Sequence, residues 1–533
     1  MFFLRMRLAT ATISFLLTGI TQAQTSADVL IKNARIIDGT GNSWFWGDVA
    51  LTGNKISYVG KTSFINAKKT IDAKGKIIAP GFIDVHTHIE GDETKTPTAD
   101  NFILDGVTTV VTGNCGSSRV DLQKYLSFID SLQLSINVAS LIGHNDVRRA
   151  VMGNANRDAT EEELQKMEAL VSKAMQDGAV GLSTGLIYIP GTYSKTPEII
   201  RLAKVAASYK GIYTSHMRNE GDLVTQAIDE ALHIGSEANI PVQISHFKLS
   251  GQQNWGRSKE TVPMIMKARE NGIDVTIDQY PYTASSTSLS TLIPDEILAD
   301  GADSITARLQ RPEIKKYVVK EMLKNLKKRK LKHFSYPVVA FYRADSTLNG
   351  KSIEEVNLAK GKKHRAKAEA ETVIDMMIGG GASMIFHGMS ESDVQRIMQY
   401  PFNMFASDAS IRAYGEGVPH PRGYGTNARV LSKYVREEKL LTLEEAIRRM
   451  TSLPAQKFGL RDRGILKEGM ASDIVMFDEK EVQDLSTFIQ PHQYSKGFYY
   501  VLVNGAVVVE EGKHTGIRSG KALRGSVIST KSF

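Results

Sequence analysis

From residue 77 onward the chain repeats one pattern: a short apolar run, then a longer segment of mixed character. The apolar runs stand at 77–85, 107–113, 136–142, 179–186, 211–216, 241–247, 272–279, 383–387 and 402–407. Their near-continuous hydrophobicity predicts strands buried on both faces. Segments between them, such as 160–176 and 222–238, carry apolar residues at helical spacing and predict amphipathic helices. Strand–helix alternation implies a parallel sheet, and eight repeats imply an α/β fold of the (β/α)8 TIM-barrel type. Nine runs compete for eight places, so either 383–387 or 136–142 is accessory.

The two ends differ in pattern. Segments 30–39 and 48–51, like 473–477 and 501–505, read as short strands with turns. Residues 24–75 and 461–533 are therefore expected to pair into one small β-sandwich beside a barrel spanning 76–460. Residues 296–370 are Lys-rich and lack barrel-strand character, which predicts an insertion subdomain after a barrel strand. At the start, Arg5 and Arg7 precede an apolar run at 8–20 and then Thr21-Gln22-Ala23. A basic stretch, a short apolar core and a small-residue cleavage site predict a signal peptide over 1–23. The run is too short to span a bilayer comfortably. The mature protein is expected to be periplasmic or secreted, without a membrane span.

Composition narrows the chemistry. The chain has 533 residues, 42% hydrophobic and 23% charged, within the range of soluble globular proteins and long enough for a large core. A single cysteine excludes an internal disulfide, so Cys115 is either a core thiol or a ligand. The net charge of +8 falls to about +6 without Arg5 and Arg7. Much of the remainder sits in 315–333 and 359–367, where no stacking aromatics interleave; these read as solvated helix faces, and no nucleic-acid partner is expected.

The most informative stretch is Pro80-Gly81-Phe82-Ile83-Asp84-Val85-His86-Thr87-His88. Side chains alternate along a strand, so His86 and His88 face the same way at its end. Other runs also end in metal-binding residue types: Cys115, His216, His246 and Asp408. In a barrel of this type the chemistry gathers at the C-terminal ends of the strands. Imidazole, thiolate and carboxylate together suit zinc. Singly, each has a plainer reading: Cys115 a buried thiol, Asp408 a helix N-cap, the histidines packed side chains. The six together point to a metal site. His144 and His387 also end apolar runs and are assigned to packing, while Asn114 and Ser183 are expected in the site wall. Gly181-Leu182-Ser183-Thr184-Gly185 matches the GxSxG of serine hydrolases, but the apolar run continues to Ile189 where a nucleophile elbow would need a helix.

With these residues in place the chain resembles the D-aminoacylase (N-acyl-D-amino-acid deacylase) family of the amidohydrolase superfamily. The resemblance is carried by PGFIDVHTH, TGNCGSS at 112–118, GLSTGLIYIPGTYS at 181–194, SHMRNEGD at 215–222, ISHFKLSG at 244–251, DQYPYTASST at 278–287, SDAS at 407–410 and HPRGYGT at 420–426. It implies a tight zinc on Cys115, His216 and His246. It also implies a second, weaker site on His86, His88 and Asp408 with the shared thiolate. Asp408 would shuttle the proton. Lys248, Tyr280, Ser286 and Arg422 would hold the carboxylate of a small N-acyl amino acid. The segment from Asp408 to His420 is longer than is usual in the family. Three functions follow from the pattern: a zinc deacylase releasing D-amino acids; a metal-dependent hydrolase of D-residue dipeptides, cyclic amides or N-acyl L-amino acids; and a non-catalytic binding protein, which would have no chemical need for Asp408. The pattern carries no information on oligomeric state.

Overall fold

The structure, a computed structural model, describes residues 26–62 and 65–525. The expected signal peptide at 1–23 lies outside the described residues. Among those described, no helix is long and apolar enough to cross a membrane.

Eight parallel strands build the barrel: Phe82–Asp84, Val107–Thr112, Asn137–Ser140 continued as Ile142–Gly143, Gly181–Gly185, Ile212–His216, Val242–Ile244, Val275–Gln279 and Asn403–Phe405. They form runs of three and six hydrogen-bonded strands that share the third, interrupted strand. The other seam is closed beyond the last strand, where Asp408 N–H donates to His86 O at 2.9 Å and His88 N–H to Ala409 O at 2.9 Å. The seam at the third strand is widened at its base by the C-terminal tail. Val138 N–H donates to Lys521 O at 3.0 Å and Leu523 N–H to Val138 O at 2.7 Å, so the tail takes up the hydrogen bonds of that strand edge.

Of the nine runs, 136–142 is in the barrel and 383–387 is accessory. Ser383–His387 lies between Ala284–Ser288 and Pro337–Phe341 in a separate antiparallel sheet. A short apolar run suits either kind of sheet, which is why its pattern alone did not exclude it. This sheet and its helices interrupt the chain between the seventh and eighth barrel strands, which pair directly through Ile277 and Asn403. They have their own core around Leu289, Val318, Met322, Val373 and Met384. Two of the strands lie outside the 296–370 span marked by its lysines.

The helices follow their sequence signals. Glu161–Asp177 begins at a reciprocal Thr160/Glu163 capping box and ends at Gly178, with Met167, Val171 and Ala174 buried against the barrel. The terminal segments meet in one nine-stranded mixed sheet. It doubles over an apolar cluster that includes Ile31, Val49, Ile78, Ile474 and Leu502. Ile56 N–H closes the fold by donating to Met470 O at 2.9 Å.

Candidate metal centre

At the C-terminal mouth of the barrel the six expected metal-site residues converge. His86, His216 and His246 are buried around Cys115. The thiol sulfur lies 3.3 Å from His86 Nε2, 3.5 Å from His216 Nδ1 and 3.6 Å from His246 Nε2. His246 Nε2 and His216 Nδ1 are 2.9 Å apart. On the other side of His86, Asp408 Oδ1 is 3.6 Å from its Nε2 and 3.2 Å from His88 Nε2. Zinc bonds of about 2.0–2.3 Å at tetrahedral angles separate neighbouring donors by roughly 3.3–3.7 Å. The spacings around the sulfur fit such an ion, and the donor set is of the type zinc takes.

Backbone strain marks the same residues. Cys115, His246 and Asp408 adopt φ of 53°, 35° and 50°, in the left-handed region that non-glycine residues seldom enter. Such strain costs on the order of 1–3 kcal/mol per residue and persists where the surroundings fix it. Gly113 and Gly116, also at positive φ, let the chain turn on either side of Cys115. A Cβ on Gly116 would come within 2.1 Å of Asn145 Oδ1. Ser183 pins the loop, its hydroxyl accepting from Gly116 N–H at 3.0 Å and donating to Gly113 O. Gly181–Gly185 is accordingly a barrel strand with no nucleophile elbow. Asn114 donates to Val85 O at 3.2 Å and Val111 O at 3.0 Å, tying the loop to the first strand.

Three carboxylates that sequence reasoning did not single out support the ligands. Glu220 Oε1 lies 2.9 Å from His246 Nδ1 and 2.5 Å from Lys248 Nζ, and Oε2 lies 3.7 Å from His216 Nε2. Asp278 accepts from His246 N–H at 2.7 Å and lies 3.5 Å from His86 Nδ1. Asp84 accepts from the backbone of His86 and of Ser407. Asp84 and Asp278 carried a signal, being acids embedded in apolar barrel strands. Glu220 follows His216 by four residues in a polar loop, which reads as surface.

The electrostatics are those of an anion-rich pocket among imidazoles. Burial opposes ionisation of Cys115, but His86 and His216 beside it hold the thiol well below its ordinary value. Burial likewise disfavours the Asp408 carboxylate, yet the Arg422 guanidinium and His86 hold it well below the usual range. Glu220, mostly shielded from solvent, is kept ionised by Lys248 and His246. Burial pushes the Asp84 carboxyl up to about 6.

The expected substrate-binding residues gather around the Tyr280 ring. Arg422 stacks on it at 4.4 Å, and Lys248 Nζ stands 5.8 Å from its centre. Arg422 Nη1 is 2.8 Å from Asp408 Oδ2, and Ser286 Oγ donates to Met384 O at 2.9 Å. Arg422 and Ser286 line a cavity of about 1090 Å³ whose floor includes Cys115, His88 and Asp408. Lys248 is not among its lining residues; its ammonium is taken by Glu220. Tyr188, also in the lining, packs edge-on against His216 at 4.9 Å. His144 lies apart, bonded to Glu198 at 2.8 Å beside the buried Arg148. His387 packs on Phe488 at 4.9 Å, in the insertion sheet.

Comparison with known proteins gives the same picture. The amidohydrolase family model matches residues 69–331 and 351–509. D-aminoacylase of Alcaligenes xylosoxydans xylosoxydans is 35% identical over 93% of this chain and 97% of its own. N-acyl-D-glutamate deacylase of the same organism is 35% identical over 94% of this chain and 97% of its own. A solved structure of N-acyl-D-glutamate deacylase from Bordetella bronchiseptica, complexed with zinc and a phosphonate mimic of the tetrahedral intermediate, superposes with a TM-score of 0.80. It is 34% identical and covers 94% of this chain and all of its own. With a cysteine-centred cluster at the mouth of a (β/α)8 barrel and likeness along nearly its whole length, the chain belongs to the amidohydrolase family, among the D-aminoacylases.

Proposed function

We propose that this protein is a zinc-dependent amidohydrolase that cleaves N-acyl-D-amino acids to a carboxylic acid and a free D-amino acid. The observation that carries the reading is the junction of two parts. Cys115, His216 and His246 form a donor set for one tight zinc, and directly beside them Asp408 is ion-paired with Arg422 on a substrate-sized cavity. His86, His88 and Asp408, with the shared thiolate, would hold a second, weaker ion. Zinc supplies Lewis acidity toward the acyl carbonyl and brings the pKa of water toward about 7.

The protein's own groups do the rest. Asp408, held ionised by its neighbours, takes a proton from the attacking water and returns it to the departing nitrogen. An amine leaves poorly unless protonated, so one carboxylate serving both steps meets a chemical need. Arg422 offers a planar fork suited to the α-carboxylate, with Tyr280 stacked behind it and Ser286 alongside. Lys248 adds positive potential from behind Glu220. Fixing the α-carboxylate and the acyl carbonyl leaves two substituents to distinguish the enantiomers. Export to the periplasm or medium, read from residues 1–23, belongs to the same proposal.

The test is amine release from a panel of N-acetyl-D-amino acids by metal-analysed protein. Release should stop with chelator and return with zinc. Release indifferent to chelation would contradict the reading, as would a zinc-loaded protein inactive on every member.

A further inference from the structure

Charges around the cavity do not balance. Lys95, Arg149, Arg343, Arg412 and Arg422 line it, against the carboxylates of Asp92, Asp408 and Glu416. Three of the cations are engaged: Lys95 with Asp92 at 3.3 Å, Arg422 with Asp408 at 2.8 Å, and Arg149 with Asp146. Arg343 is exposed at the rim. Arg412 is different. Its Nε is buried without a hydrogen-bond partner, and among the described residues its guanidinium enters no ion pair within 4.0 Å.

The backbone that carries Arg412 is fixed. Asn101 Oδ1 accepts from Arg412 N–H at 3.1 Å, and Asn101 Nδ2 donates to Ser410 O at 3.2 Å and Gly423 O at 2.8 Å. One buried amide thus ties the Arg412 loop to the helix that begins at Arg422. Arg412 is half-buried on the cavity wall, and its buried Nε is left there without a partner, which is unfavourable. Its fork matches a carboxylate bidentately. Arg422 already serves the α-carboxylate in the deacylase reading, so Arg412 calls for a second anion.

We propose that Arg412 forms a second carboxylate subsite, and that the preferred substrate is an N-acyl-D-amino acid bearing a carboxylate besides its α-carboxylate. This inference rests on the deacylase reading. The second carboxylate can belong to the amino-acid side chain, as in D-glutamate, or to the acyl group, as in a succinyl amide.

The experiment compares kcat/KM of the zinc-loaded enzyme within two isosteric pairs. One is N-acetyl-D-glutamate against N-acetyl-D-glutamine; the other is N-succinyl-D-leucine against its succinamoyl counterpart. The acid should exceed the amide by at least about tenfold in one pair, as charge-assisted hydrogen bonds allow. That pair names the source of the carboxylate. Arg412→Gln should bring the ratio close to one, mainly through KM, and Arg412→Lys should restore part of it. Each ratio is read within one variant, and Arg412→Lys carries the test if the glutamine variant is unstable. Ratios near one in a wild-type enzyme that cleaves N-acetyl-D-leucine would overturn the subsite and leave the deacylase reading standing. A wild-type preference for acid that survives both substitutions would also overturn it. Failure to cleave any N-acyl-D-amino acid would overturn both.

Discussion

Glu220→Gln isolates the support beneath the metal ligands. In the wild-type structure Glu220 Oε1 meets Lys248 Nζ at 2.5 Å and His246 Nδ1 at 2.9 Å, with Lys248 and His246 almost fully buried. His246 turns Nε2 toward the thiolate and Nδ1 toward Glu220, with Lys248 Nζ 2.8 Å from the same nitrogen. The substitution keeps the shape and removes the charge. Loss of such an outer partner typically costs ~10–100-fold in metal affinity, or about 1.4–2.7 kcal/mol. Lys248 is also left as a buried cation without its countercharge. Breaking a buried pair costs roughly 3–5 kcal/mol, and the retained amide oxygen places this case near the lower end. Zinc affinity measured by competition with a chelator should fall within that 10–100-fold range, and denaturant unfolding should show a loss of about 3 kcal/mol. Wild-type zinc affinity together with unchanged unfolding would refute the reasoning, because the contacts would then do neither job.

Other outcomes follow from the same geometry. Asp408→Asn should retain zinc on the Cys115–His216–His246 set and lower turnover by ~10²–10⁴-fold, read by metal analysis and steady-state kinetics. Ser183→Ala removes both hydrogen bonds that pin the Cys115 loop and should cost about 1–3 kcal/mol in denaturant unfolding, with no loss of the nucleophile that a serine hydrolase would suffer. Lys457 gives a pH signature. Burial, only partly offset by Asp274, pushes its ammonium down to about 8. From about 8 up to its unfolded value near 10.5 the unfolded chain binds more protons, so this residue makes stability rise with pH. Lys457→Met should flatten that rise in unfolding measured across the window; an unchanged slope would count against a depressed Lys457.

Which features the sequence disclosed has a physical reason. Barrel strands are buried on both faces, so they stand out as apolar runs, and a ligand at the end of such a run is conspicuous. His86, Cys115, His216, His246 and Asp408 were visible for that reason. The run at 383–387 misled because a short apolar run is common to parallel and antiparallel strands, and only the pairing with Ala284–Ser288 and Pro337–Phe341 distinguishes them. Glu220 was hidden because its importance lies in a contact made 28 residues away, to Lys248. The family resemblance aimed Lys248 at the substrate; the carboxylate that holds it was invisible to periodicity. Arg412 was hidden in the same way, since a charged residue in a polar loop reads as solvated until the loop is seen pinned by Asn101.

The most direct measurement is the kcat/KM of the zinc-loaded enzyme for the D and L enantiomers of one N-acetyl amino acid, taken across several side chains. The deacylase reading expects chelator-sensitive release with a D preference of at least about a hundredfold, the scale set by a group held at fixed points in a preorganised site. Equal rates for the two enantiomers, or a preference for L, would contradict it.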